Sequence, residues 1–143
     1  MGNVFACGKI FKWSIEGYSS IKKNMKSKYY SGFFEALGYR WHLKLEKRDN
    51  CIALELELDK STTFPPNSGV NVEFTLRVMD QVKGNHKKRI DQFQICSKFI
   101  TWKWPNFLHL EDLQNPSNGF LVNDTCIVEA SIAVLGSFSY HDF

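Results

Sequence analysis

The 143-residue sequence predicts an all-β protein, an antiparallel β-sandwich of seven or eight strands with one short helix near the C-terminal third. Three observations predict it. Apolar and polar residues alternate with period two along most of the chain, which sorts side chains onto opposite faces of a strand. Aromatic residues make up 15% of the chain, with 12 Phe and 4 Trp, and such residues suit a pleated, half-buried surface. Each strand so read has one apolar and one polar face, and such strands bury their apolar faces when two sheets pack together.

The clearest run is Tyr39, Trp41, Leu43 and Leu45, interleaved with Arg40, His42, Lys44 and Glu46. Ile52, Leu54, Leu56 and Leu58 then alternate with Ala53, Glu55, Glu57 and Asp59, and the polar link Lys47-Arg48-Asp49-Asn50 makes the two runs a hairpin. Val70, Val72, Phe74, Leu76 and Val78 alternate with Asn71, Glu73, Thr75 and Arg77. Near the start Phe11, Trp13 and Ile15 alternate with Lys12, Ser14 and Glu16. Over 124–135 the even-numbered Cys126, Val128, Ala130, Ile132 and Val134 line one face. Weaker strand signals lie at 32–37, 88–96 and 119–121, and the single helix is read at 109–114, stopped by Asn115-Pro116. Residues 62–69, with Pro65-Pro66, read as a loop, and Lys83-Gly84-Asn85 as a hairpin turn.

The length suits one domain. A net charge of +3 lowers the case for a dedicated nucleic-acid binder, which carries a strong basic stripe. Cys7, Cys51, Cys96 and Cys126 are far apart, with no CxxC pair and no Cys/His cluster, so no zinc site is expected and the thiols read as buried and reduced. No stretch approaches the roughly 18 apolar residues that span a bilayer, and no secretory h-region is read at the start. Cytoplasmic residence, extending to the nucleus, and no membrane association are therefore the expectation. The chain opens Met1-Gly2-Asn3, but Ala6 stands where N-myristoylation asks for Ser or Thr, which leaves lipidation weakly supported. Asn123-Asp124-Thr125 reads as a turn rather than a glycosylation site.

No GxSxG elbow, P-loop, GxGxxG or HExxH is present. Cys51 or Cys96 could meet His42 only by chance of the fold, since His42 lies on a polar strand face and both thiols at strand ends. No catalytic residue, cofactor, metal or small-molecule substrate is expected, and the chain does not read as an enzyme. Two basic clusters stand out: Lys22, Lys23, Lys26 and Lys28 before Tyr29 and Tyr30, and Lys83, His86, Lys87, Lys88 and Arg89 on a hairpin. Both read as solvated turns, with phosphate binding as the alternative. In Phe99-Ile100-Thr101-Trp102-Lys103-Trp104-Pro105, Trp102 and Trp104 share a face if the segment is extended, and Pro105 blocks further ladder pairing, as suits an edge strand. Such a strand captures an extended peptide by adding it to the sheet. The competing reading places one or both Trp in the core.

Several segments together resemble a MATH domain (the meprin and TRAF homology domain). Phe11-Lys12-Trp13-Ser14-Ile15 with Tyr18-Ser19-Ser20-Ile21 is similar to its opening strand and turn. Tyr29-Tyr30-Ser31, Phe33 or Phe34, and Gly38-Tyr39-Arg40-Trp41 resemble the next segment. Leu113, Asn115-Pro116-Ser117, then Gly119-Phe120-Leu121-Val122-Asn123-Asp124-Thr125 and Ile127-Val128-Glu129-Ala130 complete a likeness closest to plant MATH proteins. It spans residues 8–135, with 1–7 and 136–143 left as short tails.

The resemblance implies a TRAF-like sandwich with a shallow groove for an extended peptide. The family's groove strand commonly carries Asp-Trp-Gly-Phe, which aligns with Thr101, Trp102, Lys103 and Trp104. Thr101 thus loses a charged acceptor, and Lys103 adds bulk and charge where the family has Gly. Glu55 falls where ubiquitin-ligase members often have a groove Tyr, Gln94 is a further groove match, and Phe74 matches a groove aromatic although its alternation assigns it to the core. Relatives set this module beside a BTB domain, a ubiquitin protease, or a RING and coiled coil, none of which is read here. The expectation is an adaptor or competitor, or a piece of a tandem MATH protein, in ubiquitin-linked or stress and defence regulation. It would bind a protein partner through a short extended peptide, without nucleic acid, as a monomer or weak homo-oligomer. The alternatives are a nucleic-acid-binding sandwich using the basic clusters, a thiol enzyme, and a degenerate MATH domain without groove binding.

Overall fold

Alternation decides the layering. In the computed structural model, which describes residues 10–23 and 28–139 (the side chains of 22 and 23 excepted), the apolar member of nearly every alternating pair points to one interior. The element order is β1 (Phe11–Ile15), α1 (Tyr18–Lys23), β2 (Lys28–Tyr30), β3 (Phe34–Ala36), β4 (Tyr39–Arg48), β5 (Cys51–Leu58), β6 (Ser68–Val78), β7 (Lys87–Cys96), β8 (Thr101–His109), α2 (Leu110–Gln114), a 3-10 turn (Pro116–Asn118) and β9 (Cys126–Ser139). One sheet has the order β1-β9-β6-β7; the other runs β2-β4-β5-β8, with β3 also paired to β4. All the pairings are antiparallel.

Trp41, Leu43, Leu54, Leu56 and Leu58 from one sheet meet Phe74, Leu76, Val128 and Ile132 from the other, all buried. Trp41 satisfies its buried indole by donating to the Ala36 carbonyl at 3.0 Å. The hairpins turn where left-handed backbone is available: Leu37-Gly38 between β3 and β4, with φ of 59° and 81°, and Asp49 between β4 and β5, with φ of 53°.

The structure departs from the sequence reading at four places. First, α1 is a second helix where one was expected, and nothing local announces it: its first turn holds no acidic residue. Its cap comes from Asp124, whose carboxylate accepts from the Ser19 amide at 3.0 Å and the Ser19 hydroxyl at 2.7 Å. Second, the described residues form nine strands, because β2 and β3 are separate three-residue pieces on β4. Third, residues 119–121 form no strand; Phe120 plugs the core while the turn Asn123-Asp124, with φ of 51° and 59°, closes on the Val122–Thr125 bridge. Fourth, Pro105 does not end its strand. The β5–β8 register shifts between Ile52 and Leu54, so Pro105 sits in the irregularity, where its missing N–H costs no ladder bond. Of the positions assigned to tails, residues 136–139 extend β9 against β6, and 1–7 with 140–143 lie outside the described residues.

Candidate functional site

Sheet order makes β8 an edge strand: it pairs with β5 on one side and, among the described residues, with no named strand on the other. β7 is the corresponding edge of the opposite sheet. The two strands are joined by residues 97–100, so both unpaired edges lie on the same flank of the sandwich.

Aromatic rings fill the space between these edges. Phe93 of β7 and Trp102 of β8 stack with centroids 5.3 Å apart and planes 25° from parallel. Behind them Phe74 of β6 meets Phe93 at 4.9 Å, Trp104 at 4.7 Å and Trp102 at 6.2 Å. Trp104 also meets Phe107 at 5.8 Å. Exposure separates their roles. Trp104 is 8% exposed and Phe74 0%, so both belong to the core, whereas Trp102 and Phe93 are half-buried at the flank. The Trp102 indole N–H is buried and has no hydrogen-bond acceptor among the described residues.

The residues singled out from sequence divide among three places. Phe74, Trp102 and Trp104 point inward, with Phe74 meeting both tryptophans. Thr101, Lys103 and Glu55 lie on the outer face of the β8 sheet, where Lys103 is opposite Glu55 and Thr101 opposite Glu57. Gln94 is exposed on the outer face of the other sheet, opposite Asn71, away from the two Trp. Phe93 was not singled out. It shares the inward face with Ile95, and strand alternation was the available signal.

The outer face of the β8 sheet is a cross-strand charge network. Arg40 pairs with Asp59 at 3.3 Å, His42 with Glu57, and Lys44 with Glu55 at 2.9 Å, each from β4 toward β5 and its end. Lys103 reaches over β5 to Glu46 on β4 at 3.1 Å. Ala53, the small residue of β5 opposite Glu46, is 1% exposed beneath that bridge. The Lys103 ammonium is thereby drawn inward, away from the free edge of β8. Hydrogen bonding to Glu55 raises the Lys44 pKa despite partial desolvation. Burial pushes the Glu46 carboxyl up, but the Lys103 bond and the charges of Lys103, Lys44 and Lys28 together hold it below its ordinary value. Glu55, 8% exposed, is held in this network by Lys44.

The remaining candidate chemistry is sparse. Cys51 lies 3.4 Å from His109 Nδ1 across the β5–β8 pairing, a thiol–imidazole contact not foreseen from sequence, where only His42 is weighed as a partner and set aside. Burial pushes the Cys126 thiol up to about 12. Among the described residues Cys51, Cys96 and Cys126 are free thiols, and no group of three or more His, Cys, Asp or Glu could hold a metal. No helix among the described residues is long and apolar enough to cross a membrane. Of the first basic cluster, Lys26 and the side chains of Lys22 and Lys23 lie outside the described residues, as do Cys7 and the Met1-Gly2 start.

Against known proteins, the MATH domain family model matches residues 10–132. The chain is 29% identical over 137 residues to ubiquitin C-terminal hydrolase 12 of Arabidopsis thaliana, covering 93% of this chain and 12% of that protein. It is 31% identical over 134 residues to the MATH domain and coiled-coil domain-containing protein At3g58440 of the same organism, covering 90% of this chain and 36% of that protein. The chain thus spans well under half the length of these curated relatives. Among solved structures, Notothenia coriiceps TRAF5 shares the fold with a TM-score of 0.66 at 19% identity, covering 94% of this chain and 76% of that one.

Proposed function

We propose, from the premise that this chain belongs to the MATH domain family of protein-interaction modules, that it holds an extended segment of a partner protein along the free edge of β8. The observation that carries this reading is the coincidence of an unpaired strand edge with the half-buried Phe93–Trp102 stack on one flank. The edge supplies backbone hydrogen bonds to a strand-like ligand, and the stack supplies a rigid apolar wall for alternate side chains. Thr101 and Lys103 border the same edge on the outer face, with Lys103 tied back to Glu46 so that its bulk does not cover β8. Trp104 and Phe74 act from behind, fixing the position of Trp102. Glu55 acts through Lys44 and lies outside the ligand's reach, as does Gln94.

The chain serves as an adaptor or competitor, with no catalytic step of its own. A ubiquitin-linked role is part of the proposal because relatives named ubiquitin C-terminal hydrolases match this chain across nearly its whole length. The test is a peptide-display selection on the wild type and Trp102→Ala, each confirmed folded by circular dichroism. A consensus enriched by the wild type and absent from the folded variant supports the reading. No enrichment by the wild type, or one indifferent to Trp102, contradicts it.

A further inference from the structure

We infer that the segment held at the β8 edge is acidic where it passes Asn106, its carboxylates met by Lys83, Lys87, Lys88 and Arg89 at the tip of the β6–β7 hairpin. This rests on the peptide reading above and adds the charge of the partner and its place along the edge. The hairpin tip is fixed level with the second half of β8: Arg89 Nη2 donates to the Asn106 carbonyl at 3.1 Å, and its guanidinium lies 5.8 Å from the Phe107 ring centroid. Lys83, Lys87, Lys88 and Arg89 are all exposed. No ion pair among the described residues neutralises them, whereas Arg40, Lys44 and Lys103 on the outer face of the β8 sheet each have a carboxylate partner.

The nearby acids do not offset this charge. Asp80, 5% exposed, spends its carboxylate on the amides of Val82, Lys83 and Asn85 at 2.9, 3.0 and 3.1 Å. Asp91 accepts from the Gln92 amide. Asp112 lines a depression with Lys83 and Lys87 yet makes no ion pair with either. At the other end of β8 stand only the exposed Lys98 and, just past the end of β5, Lys60 among the described lysines without an ion pair. The uncompensated positive charge is therefore concentrated at one end of the edge, and it attracts carboxylates and speeds encounter with an acidic chain.

A protein segment suits this place better than a nucleic acid. Single-stranded nucleic acid binds where cations accompany exposed rings for base stacking. The exposed apolar residues among these cations are the aliphatic Val82 and Ile90, and the neighbouring Phe107 is fully buried. A strand edge beside them offers peptide groups instead.

The test is fluorescence anisotropy with three labelled probes: an extended peptide of alternating Leu and Glu, the same peptide with Gln for Glu, and a single-stranded oligonucleotide of equal length. The proteins are the wild type, Lys87→Glu/Lys88→Glu and Trp102→Ala, each confirmed folded by thermal melting. The inference predicts that the wild type prefers the Glu peptide about tenfold at low salt, that added salt erodes the preference, and that the charge-reversed variant loses it. Equal affinity for both peptides overturns it, as do no binding of either, a preference retained after charge reversal, and tighter binding of the oligonucleotide. A preference lost on charge reversal but untouched by Trp102→Ala supports the acidic partner while removing the β8 edge as its seat.

Discussion

Phe93 and Trp102 lie on edge strands of different sheets, and their rings stack at 5.3 Å, closing the sandwich where β7 and β8 would otherwise leave a gap. A ring that closes an edge is only half-buried, so it serves packing and a ligand at once. Trp104, two residues along on the same face, is already core. The two tryptophans should therefore respond differently to truncation.

Trp104→Ala removes a ring packed on Phe74 and Phe107, and the expected loss is about 3–5 kcal/mol of stability. Trp102→Ala should cost about 2 kcal/mol and abolish peptide binding in a folded protein. Urea denaturation of the two single variants separates these effects. An equal loss at both positions would place Trp102 in the core as well.

Gly119 should be nearly irreplaceable. Its φ is +70°, and a Cβ there would stand 2.1 Å from Asp80 Oδ1. Gly119→Ala must displace the carboxylate that holds the turn after β6, at an expected cost of at least about 2 kcal/mol. Asp80→Ala should cost a similar amount, and the double variant should cost less than the two single losses added, because both act on one turn. Additive losses in thermal or urea unfolding would show that the turn is not the shared cause.

Stability should fall in acid. The amides of Lys83 and Val82, with that of Asn85 and the nearby His86, hold the Asp80 carboxyl below its ordinary value of 3.8, more than offsetting desolvation. Folding thus favours the ionised form. Its contribution is complete above the unfolded-state pKa and is lost as pH falls through the lower folded-state value. Glu46, lowered by Lys103 against its burial, acts in the same direction. Unfolding free energy measured from pH 7 downward should decline from about pH 4, and Asp80→Asn should flatten that decline.

Thiol labelling should rank the described cysteines by exposure. Cys96, at the end of β7, is half-exposed, whereas Cys51 and Cys126 are buried. With its pKa pushed to about 12, Cys126 holds almost no thiolate at neutral pH. Peptide mapping after brief alkylation of the native protein should find Cys96 modified before Cys51 and Cys126. Fast labelling of Cys51 would instead mark the His109 contact as an activated thiol.

The sandwich was legible because period-two alternation is local: Trp41, Leu43 and Leu45 declare a buried face without reference to the rest of the chain. The MATH family was legible only through the resemblance of segments such as Gly38-Tyr39-Arg40-Trp41 and Gly119-Phe120-Leu121-Val122. α1 was not, because its cap is Asp124, 105 residues away. The Cys51–His109 contact and the Lys103–Glu46 bridge likewise depend on which strands become neighbours, which alternation does not specify. Trp102 and Trp104 carry the same pattern signal, and only the meeting of two sheet edges distinguishes the half-exposed ring from the buried one. Pro105 reads as a strand end because its missing N–H is local knowledge, while the register shift that accommodates it belongs to the β5–β8 pairing.

The most direct test of the β8 edge as the ligand seat is a 15N-resolved NMR titration of the full chain with a peptide from the display selection. Adding the peptide as a strand should move the backbone amides of Thr101, Trp102, Lys103 and Trp104 and the Trp102 indole N–H, and should slow hydrogen exchange along β8. Perturbations confined to another surface, such as the exposed Tyr30 and Phe33 rings, with β8 unmoved, would contradict the account.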